Sequence, residues 1–150
     1  MGRVRIGVIN LLGRAYINGS DNPFSYIDSL MEEISDCRIK IVDIHAEATA
    51  EKLAMGFYLD GKATAVVGTH THVQTADEKV LPGGTAYITD LGMTGPELSV
   101  LGVRPEASIS WLKTGLPTRF EISGGACMMC GVIIDVDEKP ESREVLKESV

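Results

Sequence analysis

Two apolar runs constrain the fold of this chain more than any other feature. CRIKIVDIH (37–45) and ATAVVGTH (63–70) are rich in β-branched residues, which is typical of strands buried on both faces of a sheet. Between them, EATAEKLAMGFYLD (47–60) consists mostly of strong helix formers and is followed by Gly61, a residue that commonly ends helices. Two buried strands joined by a helix predict a parallel β-α-β unit.

The remaining segments extend this unit into a layered domain of the α/β class, with the order β-α-β-α-β-β-α-β-β. The other predicted elements are strands over 3–10, 85–92, 116–123 and 126–138 and helices over 23–34 and 105–114. Asn22 is expected to cap the first helix, with Pro23 at its first position. The last two strands flank Gly124-Gly125 and predict a terminal antiparallel hairpin. Residues 91–102 hold too much glycine for regular structure.

Length and composition predict one compact domain over residues 1–150. The chain is 44% hydrophobic with 3 Phe, 4 Tyr and 1 Trp, so its core must be mainly aliphatic. A net charge of −7 disfavours duplex nucleic acid as a partner. No apolar run reaches the roughly 18 residues of a membrane span, and the first residues do not resemble a signal peptide. Three cysteines, an odd number, are expected to be reduced thiols in a cytoplasmic protein.

All three histidines of the chain fall at the ends of predicted strands. His45 ends one buried strand, His70 ends the next, and His72 follows two residues later. The carboxyl ends of parallel strands lie at one edge of a sheet, so the three imidazoles can converge there. His70 and His72 would share a face if the strand continued. Because imidazole is a common ligand of Zn, Fe, Mn and Ni, the pattern predicts a divalent metal site. Histidines that are only hydrogen-bonded polar residues at strand ends remain the alternative.

Five polar residues accompany the histidines as candidates for orienting a ligand or approaching a substrate: Asp43, Glu47, Thr69, Thr71 and Asp90. Asp43 and Glu47 stand two residues either side of His45, where a carboxylate can accept a proton from the imidazole and orient it. The two threonines could contact phosphate, although threonine is also a good strand former. Asp90 is equally compatible with a simple turn.

A second chemistry fits some of the same residues. His45-Ala46-Glu47 matches the H-x-E element of zinc nucleobase deaminases, whose partner element is P-C-x-x-C. Cys127 and Cys130 have that spacing, but Ala126 precedes them instead of proline, and they lie far from His45 in the chain. In a strand, residues three apart also point to opposite faces. Two small hydrophobic residues in a strand are therefore the favoured interpretation of these cysteines.

Three motifs resemble one protein family in the same order along the chain. DIHAEAT (43–49), GTHTHVQTAD (68–77) and TAYITDLGMTGP (85–96) closely match the bacterial YmdB-like cyclic-nucleotide phosphodiesterases, which are calcineurin-like metallophosphoesterases. The resemblance extends more weakly from VINLLGR (8–14) to GVIIDVD (131–137). It therefore covers nearly the whole chain.

The resemblance implies a layered β-sandwich flanked by helices, with two metal ions of the Fe, Mn or Zn type per complete site. By that resemblance His45 and His70 would hold one metal and His72 the other. Such a pair of metals activates a water and neutralises phosphoryl oxygens. The implied activity is hydrolysis of 2′,3′-cyclic nucleotides or similar small phosphodiesters by a metal-bound hydroxide.

The sequence also departs from the family pattern. The family's other ligands, and a histidine that donates the catalytic proton, come from an N-terminal half with no recognisable counterpart here. Asn10 and Asp21 occur in different contexts and are not expected to replace them. The chain is therefore expected to correspond to the C-terminal half of the domain, with the N-terminal half absent and an uncovered sheet edge. A homo-oligomer, or a separate chain supplying the complementary half, is the expected partner. A non-catalytic metal-binding or assembly module is the alternative function.

Overall fold

The structure is a computed structural model that describes residues 4–136 and, as backbone only, 143–149. Its strands are β1 (Ile6–Leu12), β2 (Ile39–His45), β3 (Ala65–Thr69), β4 (Lys79–Val80), β5 (Ala86–Ile88), β6 (Thr94–Pro96), β7 (Cys127–Val136) and β8 (Arg143–Ser149). Its α-helices are α1 (Ile27–Glu33), α2 (Thr49–Tyr58) and α3 (Pro105–Thr114), and a short 3-10 turn, Pro23–Ser25, precedes α1. The chain is thus a mixed α/β protein.

Five strands form a mostly parallel sheet in the order β1-β2-β3-β5-β4. β1, β2, β3 and β5 run parallel, and only β4, at the edge, is antiparallel. Because α2 connects β2 to β3, the predicted β-α-β unit is confirmed. The second sheet, β6-β7-β8, is antiparallel.

Helices α1 and α2 pack on one face of the five-stranded sheet. Alternate residues of the strands point to that face because side chains alternate along a strand. The core cluster includes Ile9 and Leu11 of β1, Val42 and Ile44 of β2 and Val66 of β3, together with Ile27, Met55 and Leu59 from the helices and their ends. As the composition predicts, this core is mainly aliphatic. None of the described helices is long and apolar enough to cross a membrane.

Local signals explain the helix ends. The Asn22 side chain accepts a hydrogen bond from the backbone N–H of Phe24 at 3.1 Å, so the predicted cap is confirmed. The predicted helix over 23–34 is divided, because Tyr26 closes the 3-10 turn before α1 begins. Helix α3 has the predicted bounds, and Gly115 ends it with a φ of 67°.

The opposite face of the sheet carries exposed apolar side chains at β1. Ile6, Val8 and Leu12 are 58%, 67% and 48% exposed in the described structure. They alternate with the buried residues of the same strand, and Leu12 is the register partner of His45. His45 is therefore on the strand next to these exposed apolar residues, beside Leu12.

The terminal hairpin was predicted with the wrong partner. Residues 116–123 form no strand and make a single bridge, between Val103 and Ile122. Ile122 is 79% exposed, so strand propensity there is not reinforced by burial. β7 pairs instead with β6, which lies inside the glycine-rich segment 91–102 that was expected to be irregular, and with β8. The predicted strand end at 137–138 lies outside the described residues.

Substitution of Ile44 by alanine should destabilise the fold strongly, because this side chain is fully buried between β2 and the helices. We expect a loss of about 2–5 kcal/mol in unfolding free energy from the lost contacts and the cavity. Ile6→Ala is the matched control, since Ile6 is 58% exposed, and it should change stability by no more than about 0.5 kcal/mol. Urea unfolding followed by circular dichroism measures both. Equal losses would contradict the assigned core face.

Candidate functional site

His45 and His70 meet at the carboxyl ends of two neighbouring parallel strands. His45 is the last residue of β2 and pairs with Thr69, the last residue of β3, so His70 follows immediately. His70 Nδ1 lies 3.0 Å from His45 Nε2, and the two rings stand edge-to-face at 89° with centroids 4.8 Å apart. The structure thus brings together two imidazoles that are 25 residues apart in the chain.

Hydrogen bonds fix the outer nitrogen of each ring. Asp43 Oδ1 can only accept, so Thr69 donates its hydroxyl proton to it at 2.8 Å. The Thr69 oxygen is then left to accept from His45 Nδ1–H at 3.1 Å. On the other ring, Glu47 Oε2 lies 3.0 Å from His70 Nε2 and accepts its proton. For each imidazole, the oxygen partner therefore favours the tautomer in which the outer nitrogen carries the proton.

These tautomers leave lone pairs on both of the nitrogens that face each other. With these tautomers, the two nitrogens can turn their lone pairs toward one metal ion. With the other tautomer of either ring, the 3.0 Å contact is an N–H···N hydrogen bond. Imidazoles that bind metals typically donate their other N–H to an oxygen acceptor, and both His45 and His70 do so here. The two facing nitrogens therefore match the chemistry of two ligands of a divalent transition metal, without a third ligand among the described residues.

His72 does not join the pair. Strand β3 ends at Thr69, so the condition under which His70 and His72 would share a face is not met. His72 is exposed and has a φ of 66°. Among the residues that the structure describes, no group of three or more His, Cys, Asp or Glu side chains is arranged to hold a metal. The expected convergence of three imidazoles is therefore wrong for these side-chain positions, and two rings meet.

The turn that carries His70 and His72 has a strained backbone held by Asp90. His70 has a φ of 108° and His72 a φ of 66°, a region that residues other than glycine rarely occupy. Thr71, between them, donates to Asp90 Oδ2 through its backbone N–H at 3.0 Å and its hydroxyl at 2.7 Å. The hydroxyl of Thr71, a candidate phosphate contact, is thus already bonded to Asp90. Asp90 itself positions the turn.

Asp90 is in turn paired with a lysine that sequence reasoning missed. Lys52 Nζ lies 2.9 Å from Asp90 Oδ2, and the two side chains are 1% and 0% exposed. Burial raises the pKa of Asp90, but hydrogen bonds from Gly92, Lys52 and Thr71 outweigh it and hold this pKa below its ordinary value. The carboxylate therefore stays charged, and the lysine charge is matched inside the protein.

A sequence signal for this lysine existed. On α2, Lys52 lies three residues before Met55 and seven before Leu59, so it takes a place in the apolar stripe of the helix. A lysine at such a position needs a buried partner. Gly68 provides the space for its stem, because a Cβ at Gly68 would come within 2.8 Å of Lys52 Cδ and 1.8 Å of the Thr89 carbonyl oxygen.

Asn10 is a further member of the site that was not expected. Its Nδ2 donates to Asp43 Oδ2 at 2.8 Å, next to the oxygen that Thr69 occupies. The register pairs Asn10 of β1 with Asp43 of β2, so the two side chains share the open face of the sheet. A hydrogen-bonded chain therefore runs from Asn10 through Asp43 and Thr69 to His45.

The cysteines lie elsewhere. Cys127 and Cys130 are on β7, the first exposed and the second half-buried, as expected for residues on opposite faces of a strand. In the part of the chain that the structure describes, neither belongs to a metal-binding group with His45 or Glu47. The geometry gives no support to deaminase chemistry.

The fold and the site define an α/β protein with a hydrogen-bonded histidine pair at the carboxyl edge of a mostly parallel sheet. The chain belongs to the YmdB-like protein family, which matches residues 1–148. It is 53% identical over 135 residues to the 2′,3′-cyclic-nucleotide 2′-phosphodiesterase of Bacillus subtilis, covering 89% of this chain and 51% of that relative.

Two solved structures share the fold. A hypothetical protein from Thermus thermophilus superposes with a TM-score of 0.84 at 39% identity, over 95% of this chain and 57% of that one. A novel phosphatase from Mycoplasma pneumoniae superposes with a TM-score of 0.82 at 39% identity, over 95% of this chain and 52% of that one.

The chain spans about half the length of the curated relatives it matches, 51% for the B. subtilis enzyme. The expectation that an N-terminal half of the domain is absent is not supported by these comparisons, because the family match itself runs over residues 1–148. The family assignment, which the three motifs predicted, is confirmed.

Acidification should remove the stabilisation that Asp90 provides. Its folded pKa is below the ordinary 3.8, so its contribution is complete above that pH and is lost as the pH falls through the folded pKa. At neutral pH, Asp90→Asn leaves Lys52 charged without its anionic partner and should cost about 3–5 kcal/mol. Urea unfolding from pH 7 down to pH 2 should show this difference shrinking.

The matched control is Asp36→Asn, because the ion pair of Asp36 with Arg5 is exposed on both sides. An exposed pair contributes at most about 1 kcal/mol. If Asp36→Asn and Asp90→Asn cost the same at neutral pH, the buried pair does not have the structural importance assigned to it.

Proposed function

We propose that this chain carries a metal-dependent centre that hydrolyses 2′,3′-cyclic nucleotides or similar small phosphodiesters. The observation that carries the proposal is the pair of facing ring nitrogens, His45 Nε2 and His70 Nδ1, 3.0 Å apart with both outer nitrogens already bonded. The substrate class is supported by the named activity of the B. subtilis relative. The metal would be Fe, Mn or Zn, the ions that imidazole and carboxylate ligands accommodate.

Each residue has a definite task in this proposal. His45 and His70 would supply the two nitrogen donors, while Thr69 and Glu47 keep each ring in the tautomer that presents a lone pair. A bound divalent metal supplies a water of lowered pKa and positive charge for the phosphoryl oxygens. The positive charge matters here because the chain has a net charge of −7 and would otherwise repel a phosphodiester.

His72 would serve a second metal, as the family resemblance implies. Its exposed ring can approach a ligand that binds outside the His45–His70 pair. Asp90 and Thr71 would act by holding the turn between the two histidines, so that His70 stays beside His45 while His72 faces outward.

A non-catalytic metal-binding or assembly module is the second candidate. It is favoured by one observation, that two imidazoles and not three converge among the described residues. The exposed apolar residues of β1 would give such a module, or a homo-oligomer of the enzyme, a surface for association. Metal binding without turnover would identify this alternative.

The direct test compares His45→Ala and His70→Ala with the unchanged chain. Metal content is measured by plasma mass spectrometry after Mn²⁺ or Zn²⁺ loading, and turnover is measured with 2′,3′-cyclic AMP and bis-p-nitrophenyl phosphate. Each substitution removes one of two facing donors, so both should abolish metal retention and turnover. His72→Ala should retain one metal and lose the second.

The control is the double substitution Cys127→Ser and Cys130→Ser, which should leave metal content and turnover unchanged. Loss of zinc in this control would favour the deaminase-like arrangement. Full metal retention in His45→Ala would contradict the proposed site.

The role of Thr69 can be isolated with two variants of similar size. Thr69→Val removes the hydroxyl that joins Asp43 to His45, whereas Thr69→Ser keeps it. Loss of such an orienting partner typically lowers metal affinity about 10- to 100-fold. Isothermal titration with Zn²⁺ should show this loss for valine and near-normal affinity for serine. Equal affinities would mean that the hydroxyl does not orient the ring.

A further inference from the structure

A cleft of about 280 Å³ lies against the outer edge of β1, beside the histidine site. Asn10 and Leu12 of β1 line it together with Tyr26 and Leu30, which lie at the start of α1 and within it. Leu12 is the register partner of His45, so the cleft begins one strand away from the candidate metal pair. Neighbouring strands are about 4.8 Å apart. The strand that lines the cleft is therefore the direct neighbour of the strand that ends in His45.

Backbone groups of β1 that line the cleft are not paired with another of the described strands. β1 pairs with β2 alone among the described strands. The Gly13 N–H donates to the His45 carbonyl at 2.9 Å, so this N–H faces β2, whereas the Gly13 carbonyl accepts from the Ser20 hydroxyl. Because peptide groups alternate sides along a strand, Leu12 and Asn10 direct theirs toward the free edge. A neighbouring N–H donor and C=O acceptor can form hydrogen bonds with the acceptor and donor atoms on the edge of a planar heterocycle.

The walls of the cleft define the chemistry of the ligand further. Tyr26 is 51% exposed and offers a ring for stacking, and Leu30 and Pro23 supply apolar contacts. The charged group that lines the cleft is Asp21, a carboxylate, which repels a phosphate group. A flat, uncharged, hydrogen-bonding group fits these walls, and a phosphate does not.

We propose that this cleft binds the base of the nucleotide whose phosphodiester lies at the His45–His70 pair. The proposal rests on the proposed function and extends it, because it divides the substrate between two sites. The phosphodiester is held by the charged centre at the end of β2. The nucleobase is held by the free edge of β1 and the ring of Tyr26.

The first test measures binding without turnover. The full 150-residue chain, labelled with ¹⁵N, is titrated with adenosine, a nucleoside that carries no phosphate. The amide resonances of Asn10 and Leu12 should shift with adenosine concentration until they saturate, and both titrations should give the same dissociation constant. Shifts confined to the histidine turn, or none at all, would overturn the proposal.

The second test separates base recognition from the chemical step. Tyr26→Ala removes the stacking ring and should raise KM for 2′,3′-cyclic AMP about tenfold, in line with the loss of one stacked base. KM for bis-p-nitrophenyl phosphate, which has no base, should be unchanged. Tyr26→Phe keeps the ring and should restore KM for the nucleotide.

Tyr16→Ala is the matched control, since Tyr16 is 89% exposed and does not line the cleft. It should alter neither KM. If Tyr26→Ala raises KM for both substrates, or for neither, the base site is wrong. If the unchanged chain hydrolyses neither substrate while adenosine still shifts Asn10 and Leu12, the proposed function fails and the base site stands.

Discussion

The parallel register of β2 and β3 is the constraint on which the site depends. It sets His45 directly beside Thr69, and His70, the residue after β3, therefore lies against the ring of His45. A shift of one residue would turn His45 toward the helices, because side chains alternate across a strand. The buried residues on either side, Val42, Ile44 and Val66, prevent such a shift, so the core specifies the site.

A second constraint acts from inside the protein. The His70-Thr71-His72 turn adopts backbone angles that cost free energy, and its N–H and hydroxyl bonds to Asp90 offset that cost. Asp90 can accept them as a charged group because Lys52 reaches it through the space left at Gly68. A helix residue on the far side of the sheet thus fixes the position of a surface histidine. Replacing the pair by apolar residues would preserve packing but release the turn.

The sequence predicted the initial β-α-β-α-β order and helix α3, because these follow from local patterns, but it did not predict strands β4 and β6. It predicted that three imidazoles meet, and the structure brings two together. β-branched runs, helix formers and the end of each strand are visible in a single stretch of residues. The pairing of β7 could not be predicted in this way, because it depends on which distant segment becomes buried beside it. Residues 116–123 do not, since Ile122 is largely exposed, and β7 pairs with β6 instead. Lys52 and Asn10 were not predicted as members of the site for a related reason. Each acts through a hydrogen bond to a side chain 33 or more residues away in the sequence. His72 does not share a face with His70, because β3 ends at Thr69 and the condition for that prediction is not met.

The arrangement also explains how an acidic chain can be suited to an anionic substrate. Asp43 and Glu47 bring negative charge to the two imidazoles, and this charge favours a cation between the facing nitrogens over an empty pair. The bound cation would then reverse the local sign and attract a phosphodiester. Asp21, in the neighbouring cleft, has no such cation beside it and keeps its repulsion for phosphate. In the proposed arrangement, one sheet edge would therefore separate two chemistries: a cationic end for the phosphodiester at β2, and a neutral, hydrogen-bonding edge for the base at β1.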